Sequence, residues 1–197
     1  MKANHLVCAL MLLISSAALA QTTVPTSETV LNNAYAQAGK EHKKVLLIFH
    51  ASWCGWCRKM EASLNDPLCK KMFDDNYVTA YLDVMEHTGK ENLENAGSLD
   101  VLKKYDGDKS GLPFWLILDA KGTVLANSEM KPDGATAAKP EDNVGCPASE
   151  KEVAYFTSVL KATSNLTVGD LDIIHKRFLL NQPEPQPAKP AVQPAVQ

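Results

Sequence analysis

Apolar positions along this chain follow two periods. Between Thr26 and His42, the residues Val30, Leu31, Ala34, Tyr35 and Ala38 recur at helical spacing, with Thr26 or Ser27 placed to cap. That pattern predicts an amphipathic helix. Lys43-Lys44 then lead into Val45-Leu46-Leu47-Ile48-Phe49, an unbroken apolar run of strand length. An unbroken run predicts a central strand covered on both faces, where an alternating one would predict a strand with one wet face. The strand runs straight into Cys54-Gly55-Trp56-Cys57, and Arg58 to Leu64 has helix-forming composition until Asp66-Pro67 interrupts it. The two cysteines are therefore expected at a strand-to-helix junction.

Further along, the pattern predicts a short helical piece over Leu68 to Phe73, a strand over Tyr77 to Val84 and a polar loop over Glu86 to Gly97. A helix over Ser98 to Tyr105, capped by Ser98, comes next. Pro113 to Leu118 and Thr123 to Asn127 flank Asp119-Ala120-Lys121-Gly122 and read as a hairpin. Met130 to Pro147 is rich in Pro, Gly, Ala and Asp and is long for a structureless connection, which makes it either an ornament or a functional loop. Ser149 with Glu152 forms a capping-box signature ahead of the helical stripe Val153, Phe156, Val159 and Leu160. A last helix is predicted over Asp170 to Leu180, apolar on Leu171, Ile174, Phe178 and Leu179. No internal repeat is present.

The ends of the chain differ in kind from its middle. Lys2, the apolar run Leu6 to Leu13 and Ala18-Leu19-Ala20 before Gln21 have the layout of a secretory signal peptide. The apolar run is shorter than the ~20 residues a spanning helix needs, so no stable membrane insertion is expected after cleavage. Cys8 lies too early, with the apolar run behind it, for a lipid attachment site. Gln182 to Gln197 is Pro, Ala and Gln with few charges and is expected to be an extended, disordered tail. The expected organisation is thus a signal peptide over 1–20, one domain over 21–181 and a tail over 182–197, since the middle is too short for two ordinary domains. The whole chain has a net charge of −3, and loss of Lys2 makes it one unit more negative. No basic surface is offered to nucleic acid or anionic lipid.

Removal of the signal leaves Cys54, Cys57, Cys69 and Cys146, an even set in a compartment where disulfides persist. The order of helix, buried strand, Cys-x-x-Cys at a helix start, strand, helix, then Gly111-Leu112-Pro113 opening a hairpin before a closing helix resembles the thioredoxin-like superfamily. The specific matches are Ala51 to Met60, which contains Trp53-Cys54-Gly55-Trp56-Cys57, and Leu112-Pro113-Phe114. The resemblance implies an α/β, three-layer thioredoxin-like fold: a central mixed β-sheet flanked by helices, here with an extra C-terminal helix. It also implies a cis Pro113 beside the cysteines, offering neighbouring backbone to an extended substrate peptide. Two positions depart from the family. Ile48 stands six residues before Cys54, where its reductases keep a buried carboxylate, and Tyr81 stands where they keep a lysine. The dipeptide Gly55-Trp56 replaces Gly-Pro.

Thiolate rather than thiol attacks a disulfide, and the free amides of a helix N-terminus stabilise a thiolate. Cys54 is accordingly expected to be the nucleophile and Cys57 the resolving thiol, with Trp53, Gly55, Trp56, Leu112 and Pro113 as the substrate-binding surface. Two other readings of the pair are an inert disulfide and half of a zinc site. Zinc would need two more ligands, and no second knuckle-like spacing supplies them, so no metal and no cofactor is expected. Cys69 and Cys146 are candidates for a structural disulfide, with buried free thiols as the alternative. His50 is a candidate for proton transfer or an ordinary structural residue. Arg58 and Lys59 either favour a Cys54 thiolate or form a solvated helix face. The expected partners are protein thiols and disulfides in the periplasm or outside the cell, with a membrane-bound electron donor or acceptor. The competing function is a redox-inactive peptide-binding or chaperone-like module that keeps the cysteines only as a clasp.

Overall fold

The computed structural model describes residues 24–183. The expected signal peptide over 1–20, with Cys8, and the expected tail beyond Pro183 lie outside the described residues. The chain begins with α1 (Ser27–Glu41), whose first turn is capped by the Thr26 hydroxyl accepting from the Thr29 amide. β1 (Lys44–His50) follows, with its five central residues fully buried as the unbroken apolar run required. Next come α2 (Gly55–Leu64), α3 (Lys70–Asn76), β2 (Tyr77–Asp83) and α4 (Ser98–Lys104). The hairpin of β3 (Phe114–Leu118) and β4 (Val124–Asn127) leads to α5 (Glu150–Thr163) and α6 (Val168–Leu179).

The four strands lie in the order β2-β1-β3-β4, with β1 parallel to β2 and antiparallel to β3. Alternation along β1 divides the core into two layers. Val45, Leu47 and Phe49 face α1 and α4, packing with Ala34, Ala38 and Leu102. Leu46 and Ile48 face the other way, toward Met60 and Leu64 of α2, Phe73 of α3, Phe156 of α5 and Phe178 of α6. This is the three-layer α/β arrangement expected from the sequence. The extra helix α6 belongs to the second layer, with the Phe156 and Phe178 ring centroids 4.9 Å apart.

Several boundaries depart from the sequence expectation for local reasons. Leu68 is not helical, because Asp66 first closes a turn with its side chain accepting from the Leu68 amide at 3.0 Å and its carbonyl accepting from Cys69 and Lys70. α3 therefore starts at Lys70. Ser98 does not cap α4. Gly97 takes the cap position at φ 85°, and the Ser98 hydroxyl is buried in the first turn with no partner. A Cβ at Gly97 would come within 2.8 Å of the Ser27 hydroxyl, so both backbone sign and space require glycine. α6 starts earlier than expected because Thr167 is its cap and Asp170 closes the capping box from inside the helix. The loop after β2 contains a single 3-10 turn at Glu91–Leu93.

Replacement of Phe178 by Ala is expected to destabilise the whole domain by about 3–5 kcal/mol, the usual cost of removing a buried phenyl ring. Urea unfolding followed by far-ultraviolet circular dichroism measures it. A partial transition that melts one helix and leaves the midpoint of the rest unchanged would show α6 to be an appendage.

Candidate functional site

The end of β1 and the start of α2 create the site. A helix N-terminus leaves its first amides without intrahelical acceptors, so an acceptor side chain at the cap position is stabilising. Cys54 occupies that position with extended backbone, and its Sγ accepts from the Cys57 amide at 3.0 Å. The same sulfur is bonded to Cys57 Sγ in a disulfide, with the two Cα atoms 5.2 Å apart. Both cysteines are nearly covered, at 3% and 5% exposure, in a small cluster with Ala51 and Leu112. The rings beside them are open: Trp53 is 43% and Trp56 40% exposed. A covered disulfide flanked by open aromatic rings is reached along their surface.

The segment Ser52-Trp53 is held by the residues just after β2. Glu86 accepts from the Ser52 amide and, at 2.7 Å, from its hydroxyl. Trp53 Nε1 donates to the Met85 carbonyl at 2.7 Å, and its ring stacks on His87 with centroids 5.3 Å apart. Burial works against a charge on Glu86, but the two Ser52 bonds, aided by Lys90 and His87, hold its carboxyl below the ordinary range. Arg58 closes the turn from the other side, donating to the Ser52 carbonyl at 2.9 Å. Arg58 thus has a structural partner in addition to its solvated face.

The opposite wall comes from the segment before β3 and the long loop. The Leu112–Pro113 peptide is cis. Asn143 Nδ2 donates to the Gly111 carbonyl at 2.6 Å and reaches the Pro113 carbonyl at 3.3 Å. The loop containing Asn143 is closed at its base where Val144 donates to Ser128 and Met130 to Asp142. Trp115 Nε1 adds a bond to the Gly145 carbonyl at 2.9 Å. With Trp56 this segment and the loop enclose a groove of about 330 Å³, also lined by Leu112, Pro140, Asn143, Val144 and Ala148, among others. The structure thus brings Trp56, Leu112 and the long loop together beside the disulfide. Trp53 stands on the other side, against His87.

Ile48 pairs with Tyr81 on β2 and with Trp115 on β3, so the two departures from the family pattern are neighbours in the ladder. Ile48 is buried in the layer that contains α2. Burial, with the nearby Glu61 charge, pushes the Tyr81 hydroxyl up to about 12. Neither place therefore carries a charge at neutral pH. His50, two residues closer to Cys54, pairs with Asp83 in the ladder, its Nε2 3.2 Å from an Asp83 carboxylate oxygen without hydrogen-bond alignment. Its ring leans on Tyr81, with centroids 5.1 Å apart. Burial raises the Asp83 carboxyl above its usual range; His50 opposes that, while Glu86 and Glu94 reinforce it.

The candidate bridge between Cys69 and Cys146 does not form: both are buried free thiols. Cys69 lies just before α3, while Cys146 Sγ accepts from Asn181 Nδ2 at 3.4 Å, so each sulfur has its own place in the second core layer. Desolvation pushes Cys69 up to about 11 and Cys146 up to about 12. Among the described residues no group of three or more His, Cys, Asp or Glu side chains is arranged to hold a metal, and no helix is long and apolar enough to cross a membrane. Sequence reasoning missed Glu86, Asn143 and Asn181. Each lies in a polar, irregular segment, where spacing carries no signal; only the unusual length of the 130–147 loop pointed toward one of them.

Residues 26–120 match a family model described as thioredoxin-like. With the strand order and the helical layers above, the fold is thioredoxin-like. A search of curated proteins found no match. Among solved structures, the chain is similar to a disulphide isomerase from Xylella fastidiosa Temecula1, at 22% identity, 70% coverage of this chain, 91% of that one and a TM-score of 0.49. It is also similar to a DsbH oxidoreductase, at 23% identity, 65% and 79% coverage and a TM-score of 0.42. A thioredoxin from Thermus thermophilus is similar at 16% identity, 66% and 81% coverage and a TM-score of 0.39.

Two outcomes are expected. In the folded, oxidised protein at pH 8, iodoacetamide leaves Cys69 and Cys146 unmodified, and in guanidinium without reductant it alkylates both, as peptide mapping will show. Protection that persists in guanidinium would mean a bridge. For Glu86, a lowered carboxyl contributes stability that is complete above the unfolded value of about 4.3 and is lost as pH falls through the folded value. Thermal midpoints of wild type and Glu86→Gln should therefore differ above pH ~5 and converge toward pH ~3. Parallel curves would remove Glu86 from the clamp.

Proposed function

We propose that this protein is an exported thiol–disulfide oxidoreductase that exchanges disulfides with protein substrates through Cys54 and Cys57. The observation that carries the reading is the disulfide itself, formed with one sulfur at the N-cap of α2 where the Cys57 amide is aimed at it. In the reduced pair the same amide and the helix terminus stabilise negative charge on Cys54 Sγ. That thiolate attacks one sulfur of a substrate disulfide and expels the other as a thiolate, leaving a mixed disulfide. Cys57 then loses its proton and attacks Cys54 Sγ, which releases the second substrate thiolate. The substrate gains two electrons and the protein returns to the disulfide seen here; the reverse sequence oxidises a dithiol.

The groove beside Trp56 and Leu112 suits an extended polypeptide around the reacting sulfur, with Trp53, Gly55 and Pro113 completing the contact surface. Ile48 leaves Cys57 without a buried carboxylate to accept its proton. We assign the leader over 1–20 to export, the fold over 21–181 to catalysis, and the 182–197 segment to a tail outside the domain. The work is placed in the periplasm or outside the cell, where a membrane-bound partner would supply or remove electrons.

Cys54→Ser is expected to abolish exchange with a reduced, unfolded polypeptide. Mixed with an unfolded polypeptide that retains a disulfide, Cys57→Ser should attack it through Cys54 and accumulate the mixed disulfide, visible as a mass increase that dithiothreitol reverses. A Cys54→Ser protein that still binds unfolded polypeptide as wild type does, from a wild type that shows no exchange, would mark a peptide-binding module instead.

A further inference from the structure

Asn181 bonds both to α2 and to the foot of the long loop. It lies just past the end of α6, 4% exposed, one turn beyond the buried Phe178 that anchors that helix. Its Nδ2 donates to the Ser63 hydroxyl at 2.9 Å, and that hydroxyl donates to the Lys59 carbonyl at 2.8 Å, both within α2. The same Nδ2 lies 3.4 Å from Cys146 Sγ and 3.4 Å from the Pro147 carbonyl, at the foot of the long loop. The Asn181 backbone carbonyl accepts from Lys59 Nζ at 2.9 Å. That ammonium sits 4.5 Å from the centroid of the Trp56 ring. Arg177 adds an anchor from α6, its Nε donating to Asp66 at 2.6 Å.

We infer that Asn181 is a positioning residue for the redox site, setting Trp56 through Lys59 and the loop wall of the groove through Cys146 and Pro147. The inference rests on the oxidoreductase reading above for its catalytic consequence. An exposed lysine on a helix has several rotamers, and a tryptophan 40% exposed beside it has little packing to choose its own. A carbonyl that binds the ammonium end holds the cation over the ring face, and the ring is then oriented toward the groove. Cys146 and Trp56 both line that groove, so one buried residue references both to α2, Trp56 through its carbonyl and Lys59, Cys146 through its side-chain amide. Asn181 lies far beyond residues 26–120, which makes this device an addition to the shared fold. A small thiol that reaches the sulfur directly needs neither wall; a polypeptide needs both.

The test uses the full protein labelled with 5-fluorotryptophan and the variants Asn181→Ala, Lys59→Met and Lys59→Arg. Exchange rates are measured with reduced glutathione and with reduced, unfolded ribonuclease. Lys59→Met should slow the ribonuclease reaction by about fivefold, the size of one lost cation–π contact, and leave the glutathione rate within about twofold. Asn181→Ala keeps the carbonyl but loses the buried amide that fixes it against Ser63 and the foot of the loop, and should slow ribonuclease in the same direction without slowing glutathione. Both should move the Trp56 fluorine resonance and leave that of the buried Trp115 in place, and Lys59→Arg should restore rate and resonance. Equal slowing with both thiols, or a Trp56 resonance unmoved by either variant, overturns the assignment. If wild type exchanges with neither thiol, the oxidoreductase reading falls, and the Trp56 resonance alone decides whether Asn181 positions the ring.

Discussion

The unsatisfied amides at the start of α2 are the constraint on which the rest of the site depends. A helix that begins where a buried strand ends needs an acceptor at its cap, and here the acceptor is the sulfur of Cys54. In the reduced pair proposed above the same bond would be accepted by a Cys54 thiolate, so local folding and sulfur chemistry ask for the same geometry. Everything else keeps that turn in place. Glu86 and Met85 hold Ser52-Trp53 from the β2 side, and Arg58 holds the Ser52 carbonyl from within α2.

The covering of the pair follows from the two core layers. β1 is buried on both faces, so the chain can leave the sheet only at its end, and the cysteines emerge there. In the layer beneath α2, Ile48 contributes apolar packing against Met60 and Trp115 in place of a buried charge. This removes the desolvation cost of an ionised group under the helix. It also leaves the polar groups His50, Tyr81 and Asp83 together at the strand end. The C-terminal third of the chain then closes the other side, with α5 and α6 completing the core and Asn143 and Asn181 bonding to the segments that border the groove.

Much of this was readable from the chain. The unbroken run Val45 to Phe49 required a strand buried on both faces, and the Ser149–Glu152 pair located the start of α5 to the residue. The placement of Cys54 at a helix start followed from the same local pattern. Where local reading failed, a neighbour remote in sequence or a backbone condition intervened. Ser98 lost the cap position to Gly97, whose left-handed backbone at φ 85° starts the helix one residue earlier. Cys69 and Cys146 are free thiols buried in the second layer, Cys146 against Asn181, a residue that no cysteine spacing points to.

The sequence by itself determined most of the elements, the sheet's central strand and the place of the Cys54–Cys57 pair, since periodicity, capping and Cys spacing act over a few residues. Tertiary structure alone decided which polar side chains frame the pair. Glu86, Asn143 and Asn181 bond to atoms between 30 and 122 residues away, and Asn181 and Lys59 are the most distant pair. No short-range pattern encodes such a bond. It exists only after the apolar layers have packed and brought two irregular segments within hydrogen-bond reach.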